Sequence, residues 1–269
     1  MRITIITILL ICFGKLSAQE HFSGLFMKDS TDYFYSDALV QKDFNALDDS
    51  LTRQGYILTD WNLSDGKELI FRGIWNKNRS SPAVTPIIEK TSWEAFIKEK
   101  RAKVKEGSLM INVQYYSDLV GSAHYLAKWK KDSTIHKVWK FSSFDYLKKK
   151  VQAMKKDGFV LKEVEVNPDE NRDPVFLALF YKKEFLKSFS YCYQAKGLAA
   201  FNDAILRRRK SGYFLSDIET YHQKGSDYYV GIFEKGKQPF TFVGNLSEDA
   251  FLQKWEELEK EGYILIDLE

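Results

Sequence analysis

A glycine that ends a segment of helical periodicity recurs five times in this chain of 269 residues, and this repeat most constrains the fold. The glycines are Gly55, Gly107, Gly158, Gly212 and Gly262, at spacings of 52, 51, 54 and 50 residues. Eleven positions before each stands a large apolar residue: Phe44, Phe96, Leu147, Phe201 or Phe251. Since eleven residues make three helical turns, the pattern predicts five amphipathic helices, each ended by a left-handed glycine.

Three strand-like segments accompany each helix. The first, strand b, follows the glycine directly, as in YILTDWN and FVLKEVE. After a turn comes strand c, which carries a small residue two positions before an aromatic one, as in Gly73-Ile74-Trp75. Strand a, as in IHKVWKF, precedes the next helix. Two helix starts have capping signals, a Thr91–Glu94 capping box and Ser247.

The two ends of the chain complement each other. The last unit stops after its strand b, YILIDLE, whereas Gly24-Leu25-Phe26 marks a strand c with no strand b before it. We therefore expect the N-terminal strand to pair with the C-terminal strand, which would remove two open sheet edges. The predicted fold is an α+β repeat protein of five ββαβ units closed into a ring, propeller-like in form. The units lie near residues 21–63, 69–116, 123–166, 175–220 and 228–269.

This arrangement resembles known proteins in two ways. Five ββαβ units around one axis resemble the topology of the pentein α/β propellers, although the sequence has none of the penteins' motifs. The pattern of helix, Gly-Tyr, strand, turn and small-x-Trp is similar to the bacterial tandem repeat domains, which also form the non-catalytic part of fungal polyglycine hydrolases. That resemblance covers residues 19–269 and implies a binding or scaffold role.

The first eighteen residues differ from the rest. Arg2 is followed by an apolar run over residues 3–13, and small residues precede Gln19. This pattern predicts a signal peptide cleaved after Ala18, and so export to the periplasm or the extracellular space, because the run is too short to span a bilayer. Cleavage leaves 38 Lys and Arg against 37 Asp and Glu, a balance that does not indicate nucleic acid or an anionic membrane as a partner. We expect no transmembrane segment in the exported domain.

Polar residues recur on strand b. Counted from the glycine, position +5 is Asp60, Asn112, Glu163, Asp217 or Asp267, and position +7 is Asn62, Gln114, Glu165, Glu219 or Glu269. Alternation predicts that +2, +4 and +6 lie under the helix and that +5 and +7 face the other way. If strand b is innermost in the ring, these side chains line an acidic channel. The alternative is that they are ordinary solvated strand positions.

Other recurring residues are lysines and tyrosines. A lysine stands two residues after each strand-c aromatic: Lys28, Lys77, Lys131, Lys182 and Lys235. These lysines either discourage edge pairing or form a basic rim. The turns between strands b and c are flanked by tyrosines, of which Tyr116, Tyr221 and Tyr228 are candidate ligand contacts for sugars or peptides.

Catalytic and metal-binding signatures are weak. Ser64 and Lys67 match S-x-x-K, but Asp65-Gly66 between two strands predicts a hairpin turn. Cys192 alternates with tyrosines in mid-strand, which favours a core thiol over a nucleophile. The four histidines are scattered, so we predict no catalytic residues, no metal site and no cofactor.

The sequence therefore favours an exported, non-catalytic binding or scaffold protein. Its ligand would be a glycan, a peptide or a cell-wall fragment, held by the turns between strands b and c and by the polar mouth of the channel. The candidate ligand-binding residues are Asp60, Asn112, Glu163, Asp217, Asp267, Glu165, Glu219, Tyr116, Tyr221 and Tyr228. One alternative is a hydrolase that uses channel carboxylates as acid and base. Another is a scaffold whose outer helices contact partner proteins.

Overall fold

All five expected helices form in the structure, a computed structural model that describes residues 21–64, 69–78, 84–118, 121–167, 173–182 and 190–269. The signal-peptide prediction lies outside these residues. The order of elements is β1 (His21–Lys28), β2 (Tyr33–Val40), α1 (Gln41–Arg53), β3 (Tyr56–Ser64), β4 (Ile70–Lys77), β5 (Ile88–Lys90), α2 (Trp93–Lys105), β6 (Ser108–Ser117), β7 (Ala123–Lys131), β8 (His136–Phe141), α3 (Phe144–Lys156), β9 (Phe159–Asn167), β10 (Val175–Lys182), β11 (Ser190–Lys196), α4 (Leu198–Lys210), β12 (Tyr213–Gln223), β13 (Ser226–Lys235), β14 (Phe240–Ser247), α5 (Glu248–Lys260) and β15 (Tyr263–Leu268).

The described strands form five antiparallel sheets of three strands each. Every sheet has the order a–c–b: β2-β4-β3, β5-β7-β6, β8-β10-β9, β11-β13-β12 and β14-β1-β15. Four sheets are built from consecutive strands around one helix, so the spatial unit is strand a, helix, strand b, strand c. This grouping starts one strand later than the ββαβ grouping made from the sequence. Below, units 1 to 5 are the sheets of α1 to α5.

The N-terminal strand completes the C-terminal sheet. β1 lies between β14 and β15, and Leu25 pairs with Asp267 in an antiparallel register. Backbone hydrogen bonds of 2.6 and 2.7 Å join Ser23 and Glu269 in both directions. The expected pairing of the first strand with the last is therefore confirmed. Without β1, strands β14 and β15 would each expose a row of unpaired backbone groups.

Each helix ends as the repeat predicts. All five repeat glycines have positive φ, between 71° and 82°. This conformation is unfavourable for any residue that has a Cβ atom. The apolar residue eleven positions earlier is buried in every unit. The first capping prediction is wrong by one residue, because Ser92 and not Thr91 is the N-cap of α2 and accepts a hydrogen bond from the backbone N–H of Ala95.

The repeated lysines have a role that neither sequence interpretation included. The Nζ atoms of Lys77, Lys131 and Lys235 donate to the backbone carbonyls of Gln54, Glu106 and Ser211, at 2.5, 2.6 and 2.7 Å. These carbonyls belong to the residues that end α1, α2 and α4. A cation there satisfies a carbonyl with no partner inside the helix and interacts favourably with the helix dipole.

The small residue of strand c lies under the helix. A Cβ on Gly24 would stand 2.7 Å from the ring of Phe251, and a Cβ on Gly231 would stand 2.8 Å from the ring of Phe201. The small-x-aromatic signature thus marks where the aromatic residue of the helix presses on the sheet. Ala127 and Ala178 occupy the same place in units 2 and 3, and both are buried.

A β-bulge on strand b corrects the predicted face of that strand. In every unit the register shifts by one residue at position +4, which leaves Thr59, Ile111, Lys162, Ser216 and Ile266 unpaired. Positions +3 and +6 therefore share the core under the helix, as Leu58 and Trp61 do around Phe44. The prediction that +2 and +4 lie there is wrong, because a bulge reverses the alternation beyond it.

Candidate functional site

The polar residues at position +5 connect neighbouring units. In four units this side chain accepts a hydrogen bond from the backbone N–H at position +6 of the preceding unit in cyclic order. The bonds are Val113 to Glu163 (2.9 Å), Val164 to Asp217 (3.2 Å), Ile218 to Asp267 (2.7 Å) and Leu268 to Asp60 (3.1 Å). The bulge makes this geometry possible, because it turns +5 away from the helix and towards the next strand b.

The contact between units 1 and 2 differs from the other four. Asn112 occupies the +5 position of unit 2, is only 2% exposed, and its Oδ1 has no hydrogen-bond partner within the described residues. Instead, Gln114 at +7 donates from Nε2 to the carbonyl oxygen of Trp61 at 2.7 Å. Unit 2 therefore uses two amides where the other units place at least one carboxylate.

The +7 carboxylates extend this arrangement. Glu219 accepts a hydrogen bond of 3.1 Å from the backbone N–H of Val166, and Glu269 accepts one of 3.4 Å from that of Thr220. Glu165 is buried beside the charges of Glu219 and Glu163. Carboxylates at +5 and +7 thus form one cluster between the five b strands, which we call the carboxylate cluster: Asp60, Glu163, Glu165, Asp217, Glu219, Asp267 and Glu269.

Burial dominates the electrostatics of the carboxylate cluster. Desolvation raises the pKa of Asp60 to about 7, although the backbone N–H groups of Leu268 and Trp61 oppose the shift. The pKa of Asp217 is raised well above its ordinary value by burial and then by the charge of Asp60, while Lys162 opposes the rise. The other five members also have raised pKa values, with burial as the first cause. Removal from water therefore favours the protonated form of every member of the cluster.

The alternative that the +5 residues are solvated strand positions is wrong. Asn112, Glu163 and Asp267 are buried, and Asp60 and Asp217 are half-buried. A carboxylate removed from water needs a hydrogen-bond donor, and here the neighbouring backbone supplies it. Ligand binding by these residues stays a prediction.

The candidate tyrosines pack in pairs near the turns. The rings of Tyr221 and Tyr228 stack at 5.0 Å, and the Tyr221 hydroxyl contacts the Nε2 of Gln194. Tyr116 stacks on His124 at 4.6 Å. Tyr221 is buried, whereas Tyr116 and Tyr228 are half-buried. Among the candidates, Tyr116 and Tyr228 therefore have ring surface that a ligand could reach.

The structure does not bring the remaining candidates into a catalytic arrangement. Cys192, on β11, is buried in a hydrophobic cluster, and this burial raises the pKa of its thiol. The predicted core thiol is therefore confirmed. His136 is buried, with a pKa lowered to about 4 by burial, whereas His124 contacts Glu89 and Asp118 and His222 contacts Asp227. Ser64 ends β3, whereas its S-x-x-K partner Lys67 lies outside the described residues.

A charged pair in the core was not predicted from the sequence. Asp48 on α1 and Lys128 on β7 form an ion pair with side-chain exposures of 2% and 1%. Asp48 also accepts a hydrogen bond of 3.1 Å from the indole N–H of Trp75. The pair joins unit 1 to unit 2, where the +5 carboxylate is missing. A lysine inside the apolar run of β7 was the available signal.

Two structural findings bear on binding in general. Within the described ranges, no helix has the length and apolar character needed to cross a lipid bilayer. In the same residues, no three His, Cys, Asp or Glu side chains are placed to bind a metal ion together.

Comparison with known proteins identifies the repeat. The family described as polyglycine hydrolase-like, structural repeat, matches the chain three times, at residues 39–78, 198–236 and 237–269. These segments cover the helix and strands b and c of units 1 and 4, and strand a, the helix and strand b of unit 5. No curated protein matches the chain. The resemblance inferred from the sequence is confirmed in these three segments, each of which matches the polyglycine hydrolase-like structural repeat.

Proposed function

We propose that the five sheets close into a propeller-like ring and that the mature chain is an exported, non-catalytic binding protein. Ring closure is supported by contacts between neighbouring b strands in cyclic order: β3 with β6, β6 with β9, β9 with β12, β12 with β15, and β15 with β3. In this ring strand b is innermost, and the carboxylate cluster lies at the centre.

The observation that carries this proposal is the use made of the +5 carboxylates. All four of them already accept hydrogen bonds from the backbone of a neighbouring unit. A general acid or base needs an oxygen that can reach a substrate, whereas each of these carboxylates is buried or half-buried and already accepts a backbone hydrogen bond. The carboxylates at the centre of the ring therefore join neighbouring units. The turns between strands b and c, at the rim, are then the surface that recognises a ligand.

The rim offers a surface suited to a glycan, a peptide or a cell-wall fragment. In unit 4 the turn between β12 and β13 presents His222 and Asp227, both exposed and joined by a 2.7 Å contact. Tyr228, beside them, is half-buried and stacked on Tyr221. An aromatic ring held rigidly next to polar groups gives a ligand contact area at low entropic cost.

Arrays of glycans, peptides and cell-wall fragments test this function with residues 19–269. We expect a ligand whose affinity falls in Tyr228→Ala, since this change removes an aromatic surface at the rim. Leu206→Ala on α4, where Leu206 is 54% exposed, is the control and should leave binding unchanged. Absence of any ligand across such arrays, or equal loss in both variants, would contradict a binding role for the rim.

A second candidate is a hydrolase that uses the carboxylate cluster. It is favoured by the raised pKa values, because buried groups with shifted pKa values are common in active sites. This alternative predicts that Glu163→Gln or Asp217→Asn abolishes a turnover while the fold persists. Glutamine and asparagine keep a hydrogen-bond acceptor for the neighbouring backbone, so these changes separate the two functions.

A further inference from the structure

Unit 3 has a surface depression away from the carboxylate cluster and from the turns between strands b and c. It lies between β8 and α3, has a volume of about 500 Å³, and we call it the β8–α3 surface. Its lining consists of Trp139, Lys140, Phe141, Ser142, Tyr146, Lys149, Lys150 and Ala153. It shares no residue with the turns between strands b and c, so it is independent of the rim proposed above.

Two aromatic side chains of the β8–α3 surface are unusually exposed. Trp139 is 38% exposed and Tyr146 is 59% exposed. Exposed rings of this size keep apolar area in water, and an exposed apolar patch bordered by polar residues is typical of an interaction site. Neither residue is required by the core of unit 3, which is formed by other side chains such as Leu147, Phe176 and Phe180.

Comparison among the five units shows that these aromatics depart from the repeat. Trp139 pairs with Ala178, the small residue of strand c. The residues that pair with the small residue in the other sheets are Ser36, Ile88, Tyr193 and Val243, each buried or half-buried. The positions equivalent to Tyr146 hold Asp43, Ala95, Ala200 and Ala250. The fold therefore does not demand these two residues, and their exposure needs another explanation.

The charge of the β8–α3 surface is uniformly positive. Its lining contains three lysines and no acidic residue. The Nζ of Lys150 stands 3.5 Å from the centre of the Trp139 ring, and that of Lys149 lies 5.8 Å from the centre of the Tyr146 ring. Neither Lys149 nor Lys150 pairs with a carboxylate within the described ranges of the chain. The cations are thus held beside the rings and are uncompensated.

We propose that the β8–α3 surface binds an acidic polysaccharide. The apolar C–H face of a pyranose ring would pack on Tyr146 and on the exposed part of Trp139. A carboxylate or sulfate on the sugar would pair with Lys149 and Lys150. Neutral sugars would leave the lysines without a partner, and a nucleic acid would need a longer basic stripe than these three side chains provide. Membrane binding scales with the apolar area that enters the bilayer, and two aromatic rings that line a depression offer a smaller apolar face than an interfacial helix needs.

Defined oligomers test the proposal with residues 19–269. The probe is an oligogalacturonate, and its fully methyl-esterified form of the same length is the matched neutral ligand. We expect calorimetry to detect binding of the acidic oligomer alone, weakened by added salt because exposed charge pairs are screened. Lys149→Glu with Lys150→Glu should weaken binding by about tenfold or more, and Tyr146→Ala should weaken it several-fold.

A matched control exists on another helix. Lys98 on α2 occupies the position equivalent to Lys149, two residues after the buried apolar residue, and is also exposed. Lys98→Glu makes the same charge change as Lys149→Glu alone, with which it is compared directly, and should leave the affinity within about twofold. The test residues are on the surface, and circular dichroism of each variant shows whether its fold is retained. A Tyr228→Ala change at the rim should not alter this binding, so the outcome is separate from that of the rim proposal.

Three results would overturn this assignment. They are no binding of the acidic oligomer, equal weakening by Lys98→Glu, and binding of poly-aspartate or single-stranded DNA as tight as that of the oligomer. The last result would identify a general polyanion surface without selectivity for sugars.

Discussion

The carboxylate of Asp60 accepts a 3.1 Å hydrogen bond from the backbone N–H of Leu268, the penultimate residue of the chain. This bond joins unit 1 to unit 5, across 208 residues of sequence. It belongs to the same series as the bonds of Glu163, Asp217 and Asp267, which join adjacent units in the middle of the chain. The junction between the two ends is therefore built like the junctions between consecutive units.

Replacing Asp60 measures what this bond contributes. Asp60→Ala leaves the N–H of Leu268 without its acceptor, and an unsatisfied group of this kind costs about 1–3 kcal/mol of unfolding free energy. Asp60→Asn keeps an acceptor oxygen and should lose much less. Urea denaturation followed by tryptophan fluorescence gives both values, and Asp49→Ala, at an exposed position on α1, is the control. Equal stability of Asp60→Ala and the control would mean that water replaces the bond without cost.

The raised pKa values of the carboxylate cluster predict greater stability in acid than in weak base. A carboxyl group whose pKa is higher in the folded state contributes its stabilising effect below its unfolded pKa of about 4, and loses it as pH rises through the folded value. For Asp60 that loss extends to about pH 7, and the pKa values of Glu163 and Asp217 are raised in the same direction, so both groups add to the loss. We expect the melting temperature to fall between pH 5 and pH 8.

Glu163→Gln provides the control for this pH dependence. Glutamine keeps an acceptor for the N–H of Val113 but carries no ionisable group, so the fall in melting temperature between pH 5 and pH 8 should become smaller. Asn112 and Gln114 already make this substitution in unit 2. A melting temperature that rises towards pH 8 in the unmodified protein would contradict the burial of these carboxylates.

Local patterns were sufficient to predict the elements, whereas the junctions between units were not predictable. The spacing of Phe44 and Gly55 identifies a helix and its end, because both effects act within three helical turns. The bulge at Thr59 depends on the register between two strands, and strict alternation gives no sign of it. The face of Asp60 was therefore described correctly as opposite to the helix, but the side chains under the helix were misassigned.

The hydrogen-bond partners of the polar +5 side chains could likewise not be predicted from the sequence. Recurrence of Asp60, Glu163 and Asp217 at one position establishes a shared environment, but a carboxylate has the same sequence signature whether water or a backbone N–H is its donor. The partner of Lys77 was unpredictable for the same reason. Its acceptor, the carbonyl of Gln54, lies 23 residues earlier, and only the folded hairpin brings the two together. Long-range pairing decides both cases.

The buried ion pair of Asp48 and Lys128 should tolerate joint replacement better than single replacement. Lys128→Met leaves the Asp48 carboxylate buried with only the indole N–H of Trp75 as a partner, and breaking a buried pair in this way costs about 3–5 kcal/mol. Asp48→Asn combined with Lys128→Met keeps a hydrogen-bond acceptor for Trp75 and removes both charges, so part of the loss should return. A double-mutant cycle by chemical denaturation measures this coupling, and additive losses would contradict it.

The close packing under each helix makes Gly73 sensitive to one added methyl group. A Cβ there would stand 2.6 Å from the ring of Trp75 and 2.8 Å from that of Phe44. Because overpacking of a full core forces side chains and backbone to shift, Gly73→Ala should cost about 1–3 kcal/mol. The reverse change at the equivalent place in unit 2, Ala127→Gly, should cost about 1 kcal/mol or less. Thermal denaturation of the two variants compares them, and an unaffected Gly73→Ala protein would contradict the contact.

Circular permutation tests whether the two ends of the chain meet as one sheet. Glu269 is hydrogen-bonded to Ser23, so a short Gly-Ser linker from Glu269 to His21 turns β15 and β1 into an ordinary hairpin. New ends placed between Asp132 and Ser133, in the exposed connection between β7 and β8, leave all five sheets with three strands. We expect this permutant to fold with a melting temperature close to that of the parent.

By contrast, deletion of residues 21–28 should abolish cooperative unfolding or cause aggregation, because it exposes β14 and β15 as open edges. Two outcomes would show that β1 is not a structural member of the last unit. One is a deletion variant that melts at the temperature of the parent. The other is a permutant that fails to fold although a proteolytic cut at the same bond is tolerated.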